Sequence, residues 1–534
     1  MSSSRKDEKE LGIFSLRFFM ILLYIVAVAF VPLALRLRII NFVSPVETWH
    51  RLASSESVTE VFAQFRLEIL VMVTVAIAIA ALLLYYYEYE KGSFTNSYVD
   101  YPTAFFAFLV ILSGLLSPYI NIAFWGYYDR AEGSFAYLAY LVIFLVAANL
   151  IRFEKDRKII LYAALAAGLL QSGIAISQFF GFDVIQTDFF TRLMVPGEML
   201  PYVTDIKFKF AHKAYGTTYN PNYLGGYMAM IFPIIFVKYL YSRTTGKAVF
   251  WLAATIIGLA GFFAPTSASG FIAAVAAFLF FFILTRKDFK KYYKKLLVMV
   301  AVLVLVFSVS ESYSNGAILK KAASVYKRNL DILMPVESKE KETVALPASV
   351  MEVVAPDSGQ KEIEIRRGSW DDIASGRGYI WKKSLEMAKK NILIGDGLDT
   401  FVYNFPHWDP ERNHRSYRSV TLIDKPHNTY IQIAVGVGGL GLLVYLYILA
   451  IHLKNYLVVF RRRGTEKDSD IIALAIFTGW VAYLVQGLGN DSVLSNAPVF
   501  WALFGLSAGY VKESLALIIP SKEAKEKRRK RRKK

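Results

Sequence analysis

Long runs of apolar residues, separated by short polar or basic stretches, dominate the chain. A helix rises 1.5 Å per residue and bilayer hydrocarbon is about 30 Å thick, so roughly 20 mostly apolar residues can cross it. About twelve segments meet that requirement. They are Phe14–Leu35, Glu68–Tyr87, Pro102–Phe124, Phe135–Leu150, Ile159–Phe180, Tyr223–Tyr241, Ala248–Ala264, Phe271–Leu284, Leu296–Val309, Tyr430–Leu453, Ile471–Leu488 and Val499–Ile519. The pattern predicts an all-α polytopic integral membrane protein with about twelve transmembrane helices and a large outer loop between the ninth and tenth. The first run is too long for a signal-peptide core and no small-residue cleavage pattern follows it, so it reads as a retained helix.

Lys and Arg concentrate in alternate loops: "RFEKDRK" (152–158), "SRTTGK" (242–247), "RKDFKKYYKK" (286–295) and "RRRGTEK" (461–467). By the positive-inside rule these loops share the cytoplasmic side if the N-terminus is inside, and an even number of crossings returns the C-terminus there. Residues 1–311 then hold spans one to nine, 312–429 form the large outer loop, 430–519 hold the last three spans, and 520–534 are a basic cytoplasmic tail. Within the loop, the acidic, Pro-containing stretch near 337–364 reads as a flexible insertion. After it, Ile380, Leu385, Met387 and Ala388 fall near helical spacing, and the pattern stops at Gly395.

Composition excludes whole classes. Of 534 residues, 55% are hydrophobic, 15% aromatic and only 19% charged, with a mean hydropathy of +0.39, which fits neither a soluble enzyme nor a disordered chain. The net charge of +18 is partly local, because the stretch from Lys522 to the end carries ten basic and two acidic residues. Such a tail favours the inside orientation and binds anionic lipid headgroups, and with no folded reader module beside it nucleic acid is not expected as a partner. The sequence has no cysteine, so disulfides, thiol nucleophiles and Cys-based metal sites are excluded.

Candidate chemistry gathers at the ends of spans. In "DKPHNTYIQIAVGVGGLGLL", His427 stands at the outer mouth of a span, followed by Asn428, Thr429 and Tyr430. A histidine there can take a proton from a hydroxyl near neutral pH or donate to a phosphate oxygen; the bland alternative is an interfacial ring that caps or packs. In "SGRGYIW", Arg377 lies between two glycines, presenting a rigid donor fork suited to phosphate, unless it is merely a solvated loop arginine. "FAHKAYGTTYNPNYLGGYMAM" places His212 and Lys213 ahead of Asn220 and Asn222, although a turn opening a helix explains "NPN" equally well. Asp129, Arg130 and Glu132 share a short outer loop that reads either as a solvated connection or as a contact to lipid phosphate. His407, Arg412, His414, Arg415 and Arg418 cluster with aromatic neighbours, but their spacing matches no zinc pattern and suits anion or glycan contact better. Phosphate-loop, nucleophile-elbow and HExxH signatures are absent, and the first outer loop lacks an acidic pair for a divalent cation. Any phosphate chemistry here would have to lean on Arg, Lys and His rather than magnesium, with no metal and no cofactor expected.

The stretches "SGRGYIW", "ILIGDGLDTF", "PHNTYIQIAVGVGGLGLL" and "TTYNPNYLGGYMAM" resemble the O-antigen ligase and polymerase family of bacterial envelope glycan proteins. The resemblance is sharpest over Gly376–Leu443. It implies about twelve spans and a cytoplasmic-membrane enzyme that transfers a glycan from an undecaprenyl-diphosphate carrier to a glycan, lipid or protein acceptor on the outer face, with inversion and without a metal. His427 resembles the family's essential histidine, and Arg377 matches the arginine ahead of its Ile-Trp pair; Asn222, Asn428 and Tyr430 would shape the site. One departure is Ser269 in "TSASG", where many members carry an arginine in Ser-Arg-Gly. The charge owed to pyrophosphate would then fall to Arg130, Lys213, Arg192 or a loop arginine such as Arg415, or the donor is held differently. A lipid or solute transporter and a non-catalytic envelope scaffold are the competing classes. The transporter reading expects paired ionisable residues near mid-membrane, and the sequence offers few.

Overall fold

The computed structural model describes residues 2–45, 56–89, 96–203, 208, 213–316, 318–320, 323–324, 327, 341–345, 362–366, 373–407 and 422–518. Helices dominate: α1 (Ser2–Ile25), α2 (Gln64–Tyr89), α3 (Asp100–Leu116), α4 (Ile120–Trp125), α5 (Ser134–Leu150), α6 (Glu154–Phe179), α7 (Asp188–Met194), α8 (Pro221–Leu240), α9 (Thr245–Phe263), α10 (Ala268–Thr285), α11 (Phe289–Tyr313), α12 (Ile373–Lys390), α13 (Phe401–Asn404), α14 (Thr429–Gly436), α15 (Gly439–Arg463), α16 (Asp468–Gln486) and α17 (Ala497–Ile518). Among the described residues, eight helical stretches are long and apolar enough to cross a membrane, and α3 and α5 are shorter apolar helices.

The helix pattern departs from uniform spans in three places. α1 runs on through a π turn (Val26–Phe30) to Leu33, where Pro32 ends the regular bonding. The tenth apolar run is broken in two, because Val437 and Gly438 separate α14 from α15. The third run stops at Leu116, and Ile120–Trp125 forms a separate short helix. The chain is also not purely α. Arg38–Asn41 (β1) pairs antiparallel with Ser57–Glu60 (β2), and Lys341–Ala345 (β3) with Glu362–Arg366 (β4). The second hairpin falls in the stretch expected to be flexible, and the alternation Glu-Ile-Glu-Ile-Arg is the period-2 pattern that favours a strand.

α8 forms the axis of the bundle. Every residue from Tyr223 to Leu240 is buried, and α8 packs against α9, α10 and α16. α17 lies along α5, and α15 along α3. Ile79, Leu82, Ile272, Val275, Leu279 and Leu305 remain exposed on other helices, an apolar surface suited to lipid tails. At the start of α8, a Cβ on Gly225 would come within 2.2 Å of the Ser267 Cβ, so only glycine lets the α10 N-terminus approach there.

The basic loops gather at one end. Asp468, opening α16, meets Lys158 at 2.7 Å and Lys238 at 3.4 Å; Tyr241 donates to Asp288 at 3.1 Å, and Thr465 also reaches Asp288. The other end carries the described residues 36–45, 56–63, 126–133, 181–203, 213–220, 391–407 and 422–428. There, Leu37 donates its N–H to the Met194 carbonyl at 2.9 Å, and Leu35, Val61, Phe62, Met194 and Tyr215 share a small core. α12 is anchored in the same region by Ile380 and Met387, which pack with Phe401, Phe405, Ile423 and Val435; Leu385, expected on the apolar face, is exposed instead.

Candidate functional site

Asn222, Ser269, Arg377, His427 and Asn428 converge on one short connection, Gly487–Asn496, between α16 and α17. Asn428 caps α14: its Oδ1 accepts the N–H groups of Tyr430 at 3.0 Å and Ile431 at 3.1 Å, and its Nδ2 donates to the Leu488 carbonyl at 2.9 Å. Thr429 donates its N–H to the Gly487 carbonyl and its hydroxyl to that of Asn490, and the Tyr430 hydroxyl reaches the Leu484 carbonyl at 2.9 Å. The connection is held from the other side by Asn490, whose Nδ2 donates to Ser269 Oγ at 2.9 Å and to the Asn222 carbonyl at 3.1 Å. Arg377 donates through Nη1 to the Gly489 carbonyl. Trp381, one turn along α12, donates to the Pro426 carbonyl at 2.9 Å and so ties the arginine's helix to the strand of chain that carries His427.

His427 itself is held twice. Its backbone adopts φ of +53°, a left-handed conformation costly for a side-chain-bearing residue, and its Nδ1 lies 2.9 Å from Asp491 Oδ2. A carboxylate only accepts, so Nδ1 carries the proton and Nε2 is left as the basic nitrogen. The ring is 30% exposed whereas the Asp491 carboxylate is fully covered, an arrangement in which the buried acid orients a base that a reactant can still reach. Burial raises the Asp491 carboxyl, but His427, Arg130 and Lys425 outweigh it and hold Asp491 well below the usual carboxylate range.

Behind this pair lies an ion network that the sequence did not reveal. Arg130, almost fully buried, pairs with Asp399 and approaches Asp491 at 3.9 Å. Lys425, also buried, pairs with Asp424 at 2.6 Å and lies 3.8 Å from Asp129. Glu132 accepts from Tyr140 at 2.7 Å and Ser492 at 3.0 Å, and burial pushes its carboxyl up to about 7. The loop 126–133 is therefore neither a solvated connection nor an open cation patch: Arg130 is already committed to two carboxylates. Asp399 also accepts the N–H groups of Tyr127 at 2.7 Å and Glu132 at 3.1 Å, which locks this loop to the segment before α13.

Other nominated residues fall elsewhere. Arg192 is exposed in the last turn of α7, and Lys213 is exposed at the start of the segment leading into α8. His407 is buried against the Val402 carbonyl at 2.7 Å. Arg415, His212, Arg412, His414, Arg418 and the basic tail lie outside the described residues. Asp491, Asn490, Asp399 and Lys425 are the site residues sequence reasoning missed. The available signal was polar "GNDS" wedged between two apolar runs, and "DK" directly before "PHN".

The break between α14 and α15 keeps this geometry. Gly438 has φ of +95°, and a Cβ there would meet the Leu393 carbonyl oxygen at 2.6 Å. Gly438→Ala is expected to cost roughly 2–4 kcal/mol, from left-handed strain plus overpacking, and to lower the melting temperature of the detergent-solubilised protein. An unchanged melting curve would show that the junction relaxes freely.

Residues 253–446 match the family model described as O-Antigen ligase. The matched segment runs from within α9 into α15, so it contains Ser269, Arg377, His427, Asn428 and Tyr430 and stops short of Asp491. No curated protein matches the chain.

Proposed function

We propose, from the match of residues 253–446 to the O-antigen ligase family model, that this chain is a membrane glycosyltransferase using an undecaprenyl-diphosphate-linked glycan as donor and inverting the anomeric carbon without a metal. The observation that carries this reading is that His427 and Arg377 both bond to one connection between α16 and α17, through Asp491 and Gly489. In the reaction the bond from C1 of the sugar to the diphosphate oxygen breaks. A hydroxyl oxygen of the acceptor bonds to C1 from the opposite face and gives its proton to His427 Nε2, while the electron pair leaves with the carrier diphosphate. Positive charge beside the diphosphate stabilises that departure. Arg377 is our candidate for this role, because its guanidinium and Ser269 flank the same glycine: a Cβ on Gly489 would lie 3.7 Å from Arg377 Nη1 and 3.5 Å from the Ser269 Cβ. That shared neighbour supports Arg377 as the substitute for the family arginine, whereas Arg130 is already paired with Asp399 and close to Asp491.

Twelve crossings, with both termini cytoplasmic and the His427 end of the bundle outside, complete the reading. It is supported by the gathering of the basic loops at the opposite end. Ligase and polymerase differ only in the acceptor: a lipid or protein in one case, another lipid-linked repeat in the other.

The test mixes purified protein with undecaprenyl-diphosphate glycans and envelope extract of the host and follows the lipid-linked pool by mass spectrometry. Consumption of donor by the wild type, absent in a His427 variant, is the expected result, and product mass then identifies the acceptor class. A donor pool left intact by both, with donor binding demonstrated, would overturn the reading in favour of transport or scaffolding. Arg377→Lys is expected to reduce kcat/KM for donor by about 10–100-fold although it keeps the charge, because the planar fork is lost. Wild-type donor kinetics in that variant would remove Arg377 from the mechanism.

A further inference from the structure

A second built site occupies the other end of the bundle. A cavity of about 540 Å³, within the roughly 300–1,000 Å³ typical of small-molecule sites, opens between α6, α8, α9 and α16. Its walls include Tyr162, Lys238, Arg243, Lys247, Trp251 and Asp468. The charges are not balanced. Asp468 is shared between Lys158 at 2.7 Å and Lys238 at 3.4 Å, and Lys158 also takes Glu154 at 2.6 Å. Arg243 reaches only a neutral carbonyl, that of Glu466, among its described bonds, and Lys247 is exposed at the rim. Among the lining residues, one carboxylate thus faces three cations.

The aromatic residues add a second feature. The buried Lys238 ammonium lies 5.8 Å from the Trp251 ring centre and 5.9 Å from that of Tyr162, so two rings flank the charge. Leu165 and Leu169 continue the wall along α6 towards the membrane interior, and Phe250 is exposed beside Trp251. A basic mouth above an apolar wall, edged by Trp and Tyr at the end of spanning helices, matches the chemistry of a lipid whose phosphate is charged and whose tails are not.

From this geometry we infer that the cavity lined by Lys238, Arg243, Lys247, Tyr162 and Trp251 is a binding site for the headgroup of an anionic glycerophospholipid, in the leaflet opposite His427. Lys238 and Asn222 lie on α8 sixteen residues apart, so a helical rise of 1.5 Å per residue separates the two sites by about 24 Å. The lipid site is therefore independent of the glycan chemistry and does not stand or fall with it.

The full-length protein in detergent is titrated with dihexanoyl phosphatidylglycerol, dihexanoyl phosphatidylcholine and glycerol 3-phosphate, with thermal stabilisation as the readout. Native mass spectrometry of lipids retained from mixed nanodiscs provides a second measurement. Phosphatidylglycerol is expected to stabilise the wild type at concentrations at least tenfold lower than either other ligand. The double variant Arg243→Gln/Lys247→Gln, which alters only exposed side chains, is expected to lose most of that preference; Trp251→Leu is a second, apolar variant read in the same way. Equal response to phosphatidylcholine, or an unchanged preference in the double variant, overturns the site. A response to glycerol 3-phosphate equal to that of phosphatidylglycerol overturns the lipid assignment in favour of a soluble phosphate ester.

Discussion

Replacing His427 by Asn is expected to reduce glycan transfer by about 10²–10⁴-fold, the usual contribution of a positioned general base, while the protein remains folded in the membrane. The substitution is chosen for the backbone. At φ of +53°, alanine would add strain, whereas asparagine is among the residues that tolerate the left-handed region and its amide can still donate to Asp491. What asparagine cannot do is take a proton at neutral pH. A rate loss with an unchanged melting temperature therefore isolates the chemistry from the fold, and on the free-energy scale corresponds to about 3–5 kcal/mol of barrier. Retention of wild-type turnover by His427→Asn would reduce the histidine to an interfacial packing residue.

Asp491→Asn is the second large effect expected, with kcat falling by roughly 10²–10⁴-fold, because the carboxylate both fixes the Nδ1–H tautomer and stabilises the imidazolium formed when the acceptor proton arrives. This variant also touches stability. The native Asp491 carboxyl is depressed below its unfolded value, so its contribution is present above the unfolded pKa and is lost as pH falls through the native one; at neutral pH the asparagine forgoes it entirely. Turnover is thus measured per mole of folded protein recovered by size exclusion, with Asp399→Asn as a comparison. Asp399 holds Arg130 but does not contact His427, so its loss is expected to lower stability and leave most of kcat. Equal losses of kcat in both variants would argue that Asp491 serves the ion network rather than the histidine.

The contrast between these residues explains what the sequence could reveal. His427, Asn428 and Arg377 were visible because each interrupts a glycine-rich or aromatic stretch at the edge of an apolar run, where a polar residue needs a reason. Asn222 was visible as a turn residue and Ser269 as a departure from the family pattern, and the structure joins both to Asn490. Asp491 was invisible because "GLGNDSVLSN" reads as an ordinary turn, and the value of a buried carboxylate depends on partners that lie far away in the chain, His427 and Arg130. Arg130, Arg192 and Lys213 looked alike as outer cations. Only the packing of 126–133 beneath Asp399 separates the first, which is buried and paired, from the other two, which are exposed. The spans were largely legible because apolar length is a local property. Their interruptions at Leu116 and Gly438 were not, since each depends on what another segment presses against the helix.

The dependence of one region on a distant carboxylate also sets the timing of assembly. Synthesis proceeds at roughly 5–20 residues per second, so a growing chain exposes His427 several seconds before Asp491, and the closing connection is complete only when the helix after it, α17, packs along α5. During that interval the nascent protein already possesses its basic nitrogen and its arginine but lacks the Asp491 carboxylate and the Gly489 carbonyl that hold them. A chain released early from the ribosome, with everything up to α16 in place, would be an inert product rather than a misdirected transferase. Completion of biogenesis is in this sense the switch that arms the site.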